Sequence, residues 1–184
     1  MNPEPKAKAP RPEPTDPRRA PAAKPQAQVL LIPTQNPNQE VGALMQLLAM
    51  AGLQQGERSQ RELSENVWRL ASADGRNKAT VRFYAELGAT RVFLEGDEAV
   101  PLAQSIMGYL PALSFDLIVQ QLQAARSRAE QRLFAMFLVL AYPNATSFMR
   151  HVGERMMQAG PDELRQGIVQ GLVLLETPDV GLYL

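Results

Sequence analysis

Proline placement is the strongest constraint on what this chain can fold into. Eight of its fifteen prolines fall between Met1 and Gln28, namely Pro3, Pro5, Pro10, Pro12, Pro14, Pro17, Pro21 and Pro25. The same stretch has no aromatic and no branched aliphatic side chain. It cannot bury enough apolar surface to offset an ordering entropy of roughly 1–2 kcal/mol per residue. Residues 1–28 are therefore expected to form a disordered Pro- and Ala-rich arm, and residues 29–184 the folded domain. The arm holds six basic and three acidic side chains. Because 19 Lys and Arg balance 19 Asp and Glu over the whole chain, the body is mildly acidic and the arm mildly basic. The arm lacks the apolar run of a secretory signal, and its acids and lack of Ser are unlike a mitochondrial transit peptide. A cytoplasmic protein is expected. Pro10-Arg11-Pro12-Glu13-Pro14 offers a ligand for an aromatic groove, with a plain linker as the alternative.

After Pro33 the punctuation is that of helices. Asn36-Pro37-Asn38-Gln39 supplies a cap and a proline at the first helical position, leading through Val41, Leu44 and Leu48 to Gly52. Ser59-Gln60-Arg61-Glu62 is a capping box, followed by Leu63, Val67 and Leu70 at four- and three-residue spacing. Asp74-Gly75 then reads as a stop. Asn77 reads as the next cap, with Val81, Tyr84, Ala85 and Leu87 as an inner face. Ala89 to Leu94 is ambiguous between helix and strand. Asp97 caps a helix through Leu102, Ile106 and Leu110. Ser114, the capping box Ser127-Arg128-Ala129-Glu130, Asn144 and Pro161 open four more. The run Leu133 to Ala141 is apolar all round but half the length of a membrane span, so it is expected to be a buried central helix. Short connections imply antiparallel helical hairpins. The apolar ends Val29 to Ile32 and Val180 to Leu184 are expected to dock as extended caps on the first and last helices.

The stretch from Ser64 to Leu113 resembles an armadillo repeat, and residues 41–113 carry the likeness. Asn66 to Ser72 is similar to the end of a third helix, Asn77 to Leu87 to a first helix, Gly88-Ala89 to the kink, Thr90 to Leu94 to the short second helix and Asp97 to Leu110 to the next third helix. The return from Leu70 to Leu110 is near the family period. From Ser114 the units resemble two-helix HEAT hairpins. The resemblance implies an all-α, right-handed solenoid of about eight helices behind the arm. The Trp–Asn ladder by which peptide-binding members hold an extended backbone does not carry over. Trp68 fits, but Ser72 stands in the Asn position, and Gly108 and Ala112 occupy the two places in the next repeat.

Candidate chemistry is sparse. There is no cysteine and one histidine, which excludes disulfides, thiolate metal sites and multi-histidine sites. His151, one turn-face from Glu154, lacks further ligands and reads as a surface histidine. No phosphate-binding glycine loop or paired-carboxylate constellation is present. No cofactor, no metal and no enzymatic activity are expected. Arg76, Lys78, Arg82 and Arg91, with Arg126, Arg128 and Arg132, form either a basic stripe or a solvated mixed-charge face. Trp68 is either a half-exposed anchor or a flank of the core. The expected function is a non-enzymatic scaffold or adaptor that binds another protein through Trp68, Arg69 and Tyr109. The alternative is a nucleic-acid or phosphate binder using Lys78, Arg82, Arg91 and the arm.

Overall fold

A computed structural model of the chain describes residues 26–176. The proline-rich arm up to residue 25 and the apolar run Val180 to Leu184 lie outside the described residues. The centre of the molecule is a five-stranded antiparallel sheet, which overturns the all-α solenoid. Its strands are β1 (Gln26–Pro33), β2 (Gln54–Gln55), β3 (Val67–Ala71), β4 (Lys78–Tyr84) and β5 (Ala89–Gly96). Their spatial order is β1-β5-β4-β3-β2. The helices are α1 (Pro37–Met50), α2 (Gln60–Ser64), α3 (Ala99–Tyr109), α4 (Phe115–Ala124) and α5 (Arg128–Leu140). They are followed by α6 (Ala145–Phe148), α7 (Glu154–Ala159) and α8 (Asp162–Glu176), with a π-helical turn, Met149–Gly153, between α6 and α7.

The armadillo resemblance fails at the segments that carried it. Asn77 to Leu87 is β4 and a turn, and the Gly88-Ala89 kink is the end of that turn, with Gly88 at φ +55°. Thr90 to Leu94 is strand β5. Asp74-Gly75 is a hairpin turn rather than a helix stop. The Asp74 carboxylate accepts from Ser72 Oγ at 2.6 Å and from the Arg76 N–H at 3.1 Å, while Gly75 takes φ +70°. Asp–Gly between two strands is a strong hairpin signal because it supplies that positive φ. Asn77, expected as a cap, accepts the Glu98 N–H on its side-chain oxygen at 3.0 Å. The HEAT expectation fails as well, because the later helices pack on a sheet.

The misleading spacing has a physical cause. Val67 and Leu70, or Val81 and Tyr84, are three residues apart, so in a strand they point to opposite faces. Helices cover the first face and much of the second, and both members of each pair are buried. A strand buried on two sides loses its alternation and imitates helical spacing. The remaining cue was β-branched and aromatic density in Val67, Trp68, Thr80, Val81, Phe83, Tyr84, Thr90, Val92 and Phe93.

The first face buries Leu30, Ile32, Leu70, Val81, Val92 and Leu94 against Leu44 and Leu48 of α1 and Ala103 and Ile106 of α3. The second face buries Leu31, Tyr84 and Ala89 against Ile118 of α4, Phe137, Leu138 and Leu140 of α5, Phe148 of α6 and Ile168 of α8. Leu30 to Ile32 are thus extended and buried, but as the edge strand β1, paired to β5 and joined on its outer side to Leu113. The apolar run from Leu133 is a central helix as expected, α5, lying between sheet and α8.

Helices α5 and α8 run side by side in the same direction. A Cβ at Gly167 would collide with the carbonyl oxygen of Arg132, and one at Gly171 would lie 2.8 Å from Cβ of Val139. Two glycines one turn apart let the backbones approach to a distance that no side chain permits. Gly167→Ala is therefore expected to push the helices apart and lower stability by about 1–3 kcal/mol, the usual range for overpacking. Denaturant melts that show no change would mean that the two helices slide freely.

Candidate functional site

The second sheet face is only partly roofed. Helices α4 to α8 cover its β1 and β5 side, while the β3 and β4 side is bordered by the short helix α2. Register sets which side chains line this open part. Val67 lies opposite Arg82, Arg69 opposite Thr80, and Arg82 opposite Arg91. Lys78, Thr80, Arg82 and Tyr84 therefore form one row along β4, with Val67 and Arg69 beside it. Thr80, Arg82 and Tyr84 of that row, with Val67, Arg69 and Arg91, enclose a groove of about 330 Å³ together with Ser59, Arg61, Glu62 and Glu65 of the α2 segment and Leu175 at the end of α8.

The α2 rim is fixed by the capping box read from the sequence. The Ser59 N–H donates to Glu62 at 2.8 Å, and the Glu62 N–H donates back to Ser59 Oγ at 3.2 Å. The backbone hydrogen bond from Ser59 holds the Glu62 carboxyl below its ordinary range. Its other oxygen lies 3.3 Å from Arg69 Nε, and Arg61 pairs with Glu65 at 2.8 Å. All four of these charges are thus committed to local pairs at the rim: Glu62 with Arg69, and Arg61 with Glu65.

The floor has a different character. The Arg82 guanidinium stands 5.0 Å above the Tyr84 ring, and no carboxylate among the described residues forms an ion pair with it. Burial pushes the Tyr84 phenol above its ordinary range. Arg91, directly across from Arg82, would repel it if both faced the groove squarely. Arg91 instead turns under α5, where Nε donates to Leu140 O at 2.7 Å and Nη2 donates to Tyr142 O at 2.8 Å and Pro143 O at 3.2 Å. It is 8% exposed and has no acidic partner there. The last carbonyls of a helix lack intrahelical donors and carry the negative end of its dipole, so a buried cation is stabilised at that place. Arg91 is a clasp between sheet and helix, and it leaves Arg82 as the groove's open cation.

The residues proposed from sequence do not form one face. Arg69, Lys78 and Arg82 share the groove side of the sheet. Trp68, the neighbour of Arg69, is on the opposite face, half-buried near Val41 and Met45. There the Arg58 guanidinium covers it at 4.5 Å while bonding the carbonyls of Val67 and Glu62 at 2.8 Å each. Tyr109 is 76% exposed at the end of α3, in the layer on that same first face. The ridge of third helices expected to join Trp68, Arg69 and Tyr109 does not exist. The longer basic stripe is also divided, since Arg128 pairs with Glu163 at 3.3 Å and Arg132 bonds Gln166. Tyr84 and Glu62 were missed as groove residues. The alternation Lys78, Thr80, Arg82, Tyr84 against Ala79, Val81, Phe83 was the signal that would have found the row.

His151 belongs to the π-helical turn. Its Nδ1–H donates to Ser147 O at 2.6 Å and its ring leans on Tyr142. Among the described residues no group of three or more acids and histidines is placed to hold a metal ion, and no helix is long and apolar enough to cross a membrane. Comparison with protein-family models, with curated proteins and with solved structures gives no match.

Proposed function

We propose that the chain is a non-catalytic protein-binding module, acting in the cytoplasm, that holds an acidic segment of a partner protein in the groove over β3 and β4. The observation that carries this reading is Arg82: a cation over an aromatic ring, on the floor of a groove, with no carboxylate from the described residues to neutralise it. A carboxylate entering there gains a charge-assisted hydrogen bond. The groove does not favour a nucleic-acid backbone. Arg61 and Arg69 on its rim are paired with Glu65 and Glu62, so the groove offers no row of open cations for successive phosphates, while one carboxylate can meet Arg82.

The experiment is affinity capture with the full chain, compared with Arg82→Glu and with Tyr109→Ala. Losing a charge-assisted contact and gaining a like charge should weaken capture by about 10–100-fold, corresponding to roughly 1.5–3 kcal/mol. Tyr109→Ala should retain the same partners. Equal capture by all three proteins would reject the groove as the binding site. A ligand displaced by oligonucleotide, with affinity falling steeply as salt rises, would favour the nucleic-acid reading instead.

A further inference from the structure

We infer that the acidic group this groove takes is a phosphate monoester on a side chain of the partner segment, held between Arg82 and Arg91; the inference rests on the partner-binding reading above. Four arginines line the groove, Arg61, Arg69, Arg82 and Arg91, against two acids, Glu62 and Glu65. The lining therefore carries an excess of two positive charges, on a chain whose net charge is zero. Arg61 and Arg69 are paired with Glu65 and Glu62, so the excess belongs to Arg82 and Arg91. A phosphate monoester bears about −1.5 to −2 at neutral pH and cancels that excess, whereas one carboxylate cancels half of it.

The two arginines face each other across β4 and β5 as a register pair. Side chains directly opposite start from Cβ atoms about 4.5–5.5 Å apart, and like charges placed so repel. Burial lowers the pKa of Arg91, and the charge on Arg82 lowers it further. No carboxylate among the described residues forms an ion pair with either arginine. An oxyanion between them turns one repulsion into two attractions.

Donors are also left over for it. Arg91 is 8% exposed, and its Nε and Nη2 are spent on carbonyls at the end of α5. Its Nη1 has no hydrogen-bond partner among the described residues. That nitrogen is not sealed in, because the buried side-chain nitrogen left without a partner among the described residues is Arg132 Nε. Arg82, 5.0 Å above the Tyr84 ring, has no carboxylate to donate to. The oxygens of one phosphate can accept from the planar fork of Arg82 and from Arg91 Nη1 together. About 330 Å³ is far more room than one phosphate group fills, so part of the segment that carries it shares the groove.

The test titrates the full chain with three probes at fixed ionic strength: a capped Gly-Ser peptide bearing one phosphoserine, the same peptide with Asp at that position, and inorganic phosphate. The phosphopeptide should shift the amide signals of Thr80, Arg82 and Arg91 and bind at least about tenfold tighter than the Asp peptide. Arg82→Gln should weaken it by about 10–100-fold. Arg91→Lys, with its fold checked by the amide spectrum, should weaken it as well, because an ammonium cannot hold the α5 carbonyls and a phosphate at once. Arg128→Gln, which lies outside the groove in a pair with Glu163, should leave binding unchanged. Equal affinity for the phosphoserine and Asp peptides, or shifts confined to residues outside β4 and β5, overturns the inference. So does inorganic phosphate that binds as tightly as the phosphopeptide, which would make the ligand a free phosphate. The partner reading is judged separately by capture. Phosphopeptide binding that Arg82→Gln abolishes, with capture indifferent to Arg82→Glu, keeps the phosphate site and removes the captured partner from it. Capture that Arg82→Glu abolishes but phosphatase treatment of the lysate does not touch keeps the partner and overturns the phosphate.

Discussion

Arg91→Met is expected to destabilise the protein by about 2–4 kcal/mol. The guanidinium makes two short hydrogen bonds, to Leu140 O and Tyr142 O, and a longer one to Pro143 O. Methionine fills the volume of the stem but donates nothing, so buried acceptors at the end of α5 lose their partners at about 1–3 kcal/mol each. Relief from holding a buried cation offsets part of that loss, and burial already lowers the pKa of Arg91 below its ordinary value. For a chain of this size the melting temperature falls by about 2–4 °C per kcal/mol. Arg91→Lys should lie in between, since an ammonium keeps the charge but cannot reproduce the planar fork that spans two carbonyls. Calorimetry showing Arg91→Met within about 0.5 kcal/mol of the native chain, the usual range of a surface change, would mean that those carbonyls are satisfied by water.

Phe137→Ala should cost about 3–5 kcal/mol. Phe137 is buried in the layer that α5 places between the sheet and α8, and its ring meets Phe134 edge to face at 6.0 Å. Alanine would leave a cavity that the surrounding elements cannot close, because the glycine contacts already hold α8 against α5 at minimum separation. Since a domain's total stability is typically about 5–15 kcal/mol, this one change would remove a large fraction of it. Urea unfolding is the measurement, and Phe137→Leu should recover much of the loss. If Phe137→Ala and Phe137→Leu unfold at the same urea concentration as the native chain, α5 is not central to the core.

How far the fold could be read differs between its two halves, and particular residues show why. Ser59 with Glu62, Ser114, Ser127 with Glu130 and Asn144 all cap helices in the structure through their own side chains. Each cap is a contact between residues three apart, so it is written locally. Even so, the Ser59 box opens a helix of only five residues, after which Asn66, at φ +53°, turns the chain into β3. A cap states where a helix begins and says nothing of how long tertiary packing lets it run. The groove was half legible: Arg69, Arg82 and Arg91 were singled out as charges, but Arg69 was joined to Trp68 and Tyr109 on a helical ridge that strand geometry forbids.

The sequence by itself determined the helix starts at Ser59, Ser114, Ser127 and Asn144, the central place of the apolar run from Leu133, and the exclusion of cysteine chemistry and of multi-histidine metal sites. These follow from contacts within a few residues or from composition. Only the tertiary structure decided that Val67 to Gly96 is sheet, that Arg91 clasps α5 from a strand about fifty residues away, and that α8 lies parallel on α5 through Gly167 and Gly171. The reason is the same in each case. A strand's partners are distant in sequence, and a strand covered on both faces loses the alternation that would announce it. A cation's role is set by which carbonyls the fold brings to it, and a glycine's by what approaches it, and neither is written beside the residue in the chain.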